Sequence, residues 1–205
     1  GVLKDGVPKQ TFTAKVRPGD IKYVDLDKNG FIDTYDQMAI GGTENPEIVY
    51  GFGVNLRWKE LDFGAMFQGI GRTWRILSSN IMPASNKGSM YNIFDNYQDR
   101  WTVDNQSQDV FYPRADYGPN ANNSQKSTWW LRNMSFLRLK NLELGYSCPK
   151  KWLQGFVISN ARVFVRGTNL LTFSKFNLWD PELATGDGAK YPAMKSVSVG
   201  FDITF

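Results

Sequence analysis

From Val197 to Phe205 the chain alternates without a break: Val197, Val199, Phe201, Ile203 and Phe205 fall at every second position, with Ser198, Gly200, Asp202 and Thr204 between them. Extended backbone sends successive side chains to opposite faces, so this run predicts a strand that is oily on one face and wet on the other. The oily face must be covered by a second sheet or by lipid, and periodicity leaves both open. Two more alternating runs lie back to back. Tyr50, Phe52, Val54, Leu56 and Trp58 interleave with Gly51, Gly53, Asn55 and Arg57; Leu61, Phe63, Ala65 and Phe67 interleave with Asp62, Gly64, Met66 and Gln68. Between them Lys59-Glu60 leaves room only for a tight hairpin turn. A third pair is expected from about Trp130 to Tyr146 and from about Ala161 to Thr172, joined through Cys148-Pro149. In the first of these, Leu137 and Leu139 have the opposite parity from Leu142, Leu144 and Tyr146, which a bulge near Lys140-Asn141 would reconcile.

Composition fits this reading. The chain has 14 Phe, 9 Tyr, 7 Trp and 19 Gly, a mixture that favours strands and turns. Its mean hydropathy is -0.41, and no segment approaches the roughly 20 apolar residues of a spanning helix. Barrel strands need an apolar residue only at alternate positions, so they escape that test. The formal charge of +4 comes from scattered basic residues, and no nucleic-acid partner is expected. There is no histidine and one cysteine, Cys148. Ser-His-Asp and Cys-His catalysis, His-ligated zinc and an intrachain disulfide are thereby excluded. No signal-peptide pattern is visible at Gly1, so it was processed away or the chain is a piece of a longer protein.

Loop lengths add direction. Between the expected strands the connections alternate: long before 48, two residues at 59 and 60, very long over about 72 to 129, shorter over about 147 to 159, long over about 173 to 191. Outer-membrane barrels have short turns on the periplasmic side and long loops outside, which predicts a periplasmic C-terminus. Five strands cannot close a membrane barrel, because open edges would leave backbone donors and acceptors unpaired in hydrocarbon. The expected fold class is therefore all-β: an antiparallel transmembrane β-barrel segment belonging to something larger.

The sharpest local motif runs from Asp25 to Asp36. Asp25, Asp27, Asn29, the Phe31 carbonyl and Asp36 are spaced to wrap a hard cation, with Asp33 where a water often intervenes and Gly30 at the sharp turn. A structural Ca2+ or Mg2+ is the expected occupant, and the competing reading is a solvated Asn-Gly turn. No catalytic cofactor is expected. Tyr91, Phe94 and Tyr97 recur every three residues, which suggests a short helix inside the longest loop. With Trp129 and Trp179 they are candidates for stacking on substrate, against the alternatives of loop core or membrane-interface anchors. Asp180 and Glu182 sit in a proline-containing loop and read as turn formers; a glycosidase would need two carboxylates at a defined separation. The chain is not expected to be an enzyme.

Taken in order, several pieces resemble one family. They are Gly19-Asp20-Ile21-Lys22-Tyr23 with the acidic loop, Tyr50-Gly51-Phe52, Phe67-Gln68-Gly69, Asp99-Arg100-Trp101-Thr102, and Ser135 to Leu142 with Leu144-Gly145-Tyr146. Gly167-Thr168-Asn169-Leu170 with Thr172-Phe173, Asp180-Pro181-Glu182, Tyr191-Pro192 and Val199 to Phe205 complete the series. Together they are similar to the C-terminal part of SusC/RagA-type TonB-dependent outer-membrane proteins. The resemblance implies a plugged barrel of about 22 strands, a SusD-like surface lipoprotein over the extracellular loops, and TonB-driven import of oligosaccharides or peptides. It places the plug and the TonB-contacting part outside these residues. It also implies contact with outer-membrane lipid, and recognition of Phe201, Ile203 and Phe205 by the barrel assembly machinery. Residues 1–48 are then an extracellular loop region carrying the acidic loop, and 49–205 the barrel strands with their loops. The rival readings are a secreted calcium-dependent carbohydrate-binding β-sandwich and a non-transporting surface adhesin.

Overall fold

The computed structural model describes residues 8–13, 16–77, 94–116, 118 and 120–205. Its elements are β1 (Lys9–Gln10), β2 (Phe31–Ile32), β3 (Ile48–Trp58), β4 (Leu61–Gly71), β5 (Trp74–Ile76), β6 (Leu131–Asn133), β7 (Phe136–Ser147), the single helical turn α1 (Lys150–Leu153), β8 (Asn160–Ser174) and β9 (Ser196–Thr204). The chain divides into two compact units: Gly1–Gly41 with Ile76–Arg132, and Gly42–Arg75 with Asn133–Phe205. Structurally, the long central segment thus groups with the N-terminal residues, a partition different from the cut at residue 48.

The second unit is one five-stranded antiparallel sheet in the order β3-β4-β7-β8-β9. Trp58 pairs with Leu61 across Lys59-Glu60, and Lys59 takes the left-handed backbone conformation that so tight a turn requires. The strand expected from Trp130 begins instead at Phe136. Leu131–Asn133 forms the separate β6, and the Asn133 side chain accepts from the Ser135 N–H at 2.8 Å, a local turn that breaks the run.

The expected bulge is present. Met66 and Phe67 are adjacent on β4, yet they pair with Asn141 and Leu139, so Lys140 is the extra residue. On the other side Asn141 and Leu139 pair with Thr168 and Leu171, and Asn169 there has φ 54. Between the rung Leu61, Tyr146, Val163 and the rung Gly69, Leu137, Phe173, β4 takes eight residue steps, β7 nine and β8 ten.

This register places Tyr50, Phe52, Val54, Leu56 and Trp58 beside Leu61, Phe63, Ala65 and Phe67. Leu137, Leu139, Leu142, Leu144 and Tyr146 continue the row, followed by Val163, Val165 and Phe173, and then by Val197, Val199, Phe201 and Ile203. The result is a continuous apolar face, with Phe52 54%, Leu56 60%, Val199 63% and Phe201 73% exposed. No second sheet covers it among the described residues, which removes the packing that the β-sandwich alternative requires. A patch of this extent is what a lipid-facing wall presents.

The first unit is built around loops. Its core holds Ile21, Ile32, Leu77, Trp101, Tyr112 and Trp130, and the two-residue strands β1 and β2 pair in parallel. Gly19 has φ +90, and a Cβ there would lie 2.3 Å from the Trp101 ring. Only glycine fits both constraints.

Candidate functional site

On the face opposite the apolar one, the alternation that exposes leucines to one side delivers charges to the other. Arg162 of β8 contacts Asp62 of β4 through Nε to Oδ1 at 3.0 Å, Glu143 of β7 at 2.7 Å and Asp202 of β9 at 3.3 Å. Arg166 adds a second contact to Glu143 at 2.6 Å. Four strands are thereby tied by one ionic ladder. Beside it lies an open hollow of about 820 Å³, floored by Gly51, Gly53 and Gly64 and edged by Asn55, Asn141 and Arg57.

Farther along the same face, Arg138 is almost fully buried and pairs with Asp180, and with Glu182 at 3.1 Å. Lys140, the bulge residue, reaches Glu182 at 2.8 Å. Asp180 also caps its own turn by accepting from the Glu182 N–H at 3.0 Å. The turn-forming role expected for this pair is therefore joined by a long-range clasp that holds the 175–195 loop against β7. Charged side chains at strand positions of polar parity were the available signal, but their partners depend on register.

In the first unit the Gly19 to Tyr23 motif forms a buried polar hub. Asp20 is fully buried; its Oδ1 accepts from Asn120 and Asn123 amides at 3.0 Å each and pairs with Arg114 at 3.0 Å, and its Oδ2 accepts from the Arg17 N–H at 2.9 Å. Asn123 and Asn122 bond the Ile21 backbone at both ends, 2.9 Å each, and the Tyr23 hydroxyl donates to the Asn122 carbonyl at 2.6 Å. A buried carboxylate is tolerated because both its oxygens accept hydrogen bonds and a guanidinium balances its charge.

The acidic loop brings Asp25, Asp27 and Asp36 together, with one carboxylate oxygen of each within 4.8 Å of the others. Asp36 accepts from the Asp33 and Leu26 N–H groups at 2.9 and 2.6 Å. These backbone donors, that of Asp33 foremost, hold its carboxyl below the usual carboxylate range. The Asn29 oxygen accepts from the Phe31 N–H and the Asp33 oxygen from the Tyr35 N–H, so those two side chains fold onto the loop itself. Phe31 opens β2. The donor set of three carboxylates is hard and anionic, the chemistry a Ca2+ or Mg2+ ion takes.

Of the aromatic candidates, Tyr91 lies outside the described residues. Phe94 precedes a 3-10 turn over Asp95–Gln98 and is exposed. Tyr97 packs against Tyr112 at 5.4 Å between ring centroids, with the Arg100 guanidinium 4.8 Å from its own ring. The Trp129 indole N–H donates to the Phe111 carbonyl at 3.1 Å. Trp179 stacks edge-on to Phe176 at 4.9 Å and lies over Gly188. Three of these four rings thus have packing roles inside their own unit. Phe201 and Ile203 sit on the apolar row of β9 and Phe205 follows it, all exposed.

An uncovered apolar face, a charge-bearing opposite face and long loops define the class: this is a segment of a transmembrane β-barrel wall. Comparison with known proteins agrees. The chain is 32% identical over 202 residues to TonB-dependent receptor P26 of Formosa agariphila, covering 91% of the chain, and 24% identical over 205 residues to TonB-dependent receptor SusC of Bacteroides thetaiotaomicron, covering 97%. It is also similar to the solved RagAB peptide importer in its open-open state, with a TM-score of 0.72 and 29% identity over the whole of this chain and 21% of that one. A second RagAB structure, of the peptide transporter, gives 0.68 and 33% over 85% of this chain and 19% of that one. No protein-family profile matches. The chain belongs to the SusC/RagA family of TonB-dependent receptors, which are outer-membrane proteins, and it spans about one fifth of the length of the relatives it matches.

Proposed function

We propose that the protein containing this chain imports oligosaccharides or peptides across the outer membrane, energised through TonB and assisted by a SusD-like surface lipoprotein. The observation that carries this reading is the two-faced sheet, an uninterrupted apolar wall backed by an ionic one. The likeness to a peptide importer supports it and weights the cargo toward peptides. In this reading the 72–135 and 175–195 segments are extracellular, and the turns at 59–60 and 148–159 are periplasmic. The Arg138 clasp shapes the mouth of the channel by fixing one long loop to the wall. Deleting the gene and supplying peptide or oligosaccharide pools as sole nutrient tests the reading. Growth should fail on one of the two pools and return with the intact gene. Unimpaired growth and uptake on both would overturn import and favour an adhesin, and the absence of any co-purifying lipoprotein would overturn the assisted form.

A second proposal concerns Asp25, Asp27 and Asp36, whose convergence supports a structural Ca2+ or Mg2+ ion in the loop. Calorimetry on the intact protein should show binding that Asp27→Asn weakens at least tenfold. No heat of binding at millimolar Ca2+ or Mg2+ would end the proposal.

A further inference from the structure

The turn end of the sheet carries a surface that the ionic face and the loops leave unexplained. Three backbone hydrogen bonds gather it: Ser147 N–H to the Glu60 carbonyl at 2.8 Å, Cys148 N–H to Ala161 at 2.7 Å, and Ser159 N–H to Thr204 at 2.8 Å. They hold the Lys59-Glu60 turn, the 148–159 segment and the end of β9 together.

The 148–159 segment contains Lys150 and Lys151 and no Asp or Glu. Its large apolar side chains are exposed, Trp152 at 60%, Phe156 at 69% and Val157 at 85%. A connection that only had to link β7 to β8 in water would not present three such groups. Nearby, Trp58 is 69% exposed and the Lys59 amine stands 4.9 Å from its ring centroid. Glu60 is the acidic residue of the turn. The other carboxylates toward this end, Asp62, Glu143 and Asp202, are engaged on the polar face by Arg162 and Arg166.

Trp58 ends the apolar row of β3 and Ile203 lies near the end of that of β9, so the cluster continues the wall that meets hydrocarbon. Where such a wall leaves the membrane, aromatic rings settle at headgroup depth and lysines extend their amines to phosphate. A basic segment at that depth attracts anionic headgroups.

We propose that Trp58, Lys59, Lys150, Lys151, Trp152 and Phe156 form a binding surface for the phosphate groups of anionic phospholipids. The choice of phospholipid rests on the orientation proposed above, which puts these turns at the periplasmic leaflet. The surface anchors the wall at a fixed depth and selects the lipids around it.

The test uses the full-length protein in nanodiscs of phosphatidylethanolamine with or without phosphatidylglycerol. A nitroxide placed by Phe156→Cys, with other thiols replaced, should collide more with oxygen than with a water-soluble nickel chelate. Native mass spectrometry should show retained phosphatidylglycerol, reduced at least twofold by Lys150→Gln with Lys151→Gln. Heat-modifiable migration in gels verifies that the variants are folded barrels. Predominant collision with the nickel chelate, or retention indifferent to the double substitution, overturns the proposal. A membrane-impermeant thiol reagent on intact cells separates the orientation. Labelling at 156 but not in the 175–195 loop would overturn the orientation and the choice of phospholipid, whereas a protected 156 that fails the lipid assays would overturn the binding surface alone.

Discussion

Arg162 reaches Asp62 two strands away by lying across Gly145. A Cβ at Gly145 would sit 2.3 Å from the guanidinium and 2.5 Å from the carboxylate. The ion pair and the glycine are one feature: β7 has to be bare at that position for β8 to hold β4.

The first prediction follows directly. Arg162→Met in the full-length protein removes contacts to Asp62, Glu143 and Asp202 at once. Both Arg162 and Asp62 keep a fifth to a third of their exposure, so solvent screening holds the expected cost to about 1–2 kcal/mol. The readout is a lower midpoint for heat-modifiable gel migration. Gly145→Val should cost a similar amount alone and much less in the Asp62→Ala, Arg162→Ala background, a non-additivity that a double-mutant cycle detects. Additive effects would show that the glycine serves something else.

A second prediction concerns the clasp. Arg138→Met removes the ionic partner of Asp180, leaves Glu182 with Lys140 alone and should free the 175–195 loop. Amide exchange at 182–184 should accelerate at least tenfold, whereas Lys140→Met, which touches only Glu182, should do less. Equal effects would contradict the dominance of the buried arginine.

The third prediction lies in the loop unit. Gly19→Ala combines a left-handed backbone with a collision against Trp101 and should cost more than about 2 kcal/mol. Limited proteolysis in the 94–116 region reads it. Adding Trp101→Ala should recover part of the loss, because the collision disappears while the backbone strain stays.

The fourth is a pH dependence. Backbone donors depress the Asp36 carboxyl below its ordinary range, so the folded loop binds its proton less readily than the unfolded chain does. Its contribution is present above the unfolded carboxylate value and is lost as pH falls through the folded one. Protection of the Asp33 and Leu26 amides, taken relative to the intrinsic exchange rate at each pH, should fall on acidification, and Asp36→Asn should remove that pH-dependent fall. An unchanged fall in the variant would refute the assignment.

How much of this could be read from residues alone depends on the range of the interaction. The alternation of Tyr50 to Trp58, of Leu61 to Phe67 and of Val197 to Phe205 is local, and those strands appear where expected. The parity slip between Leu139 and Leu142 located the bulge. The start of β7 was misjudged because Trp130, Leu131 and Met134 are apolar for another reason: Trp130 and Met134 are buried. In the acidic loop the spacing anticipated the convergence of Asp25, Asp27 and Asp36, whereas the acceptance of the Tyr35 N–H by Asp33, set apart in the expectation as the water-mediated position, is visible only in the structure. The hub around Asp20 was not, because its asparagines lie about a hundred residues away. Gly19, Asp20 and Trp101 read as parts of two separate family marks; with Arg114 they are neighbours in one cluster.

Between the same two rungs, β4, β7 and β8 take eight, nine and ten residue steps. Elsewhere in these strands, inserting one residue would reverse every side chain beyond it and turn leucines toward the charges. At Lys140 and at Asn169-Leu170 the surplus is absorbed, and both sides of the wall keep their character. These are the points at which the strands of this wall can gain or lose length over evolutionary time, so length differences among relatives within β7 and β8 should collect there.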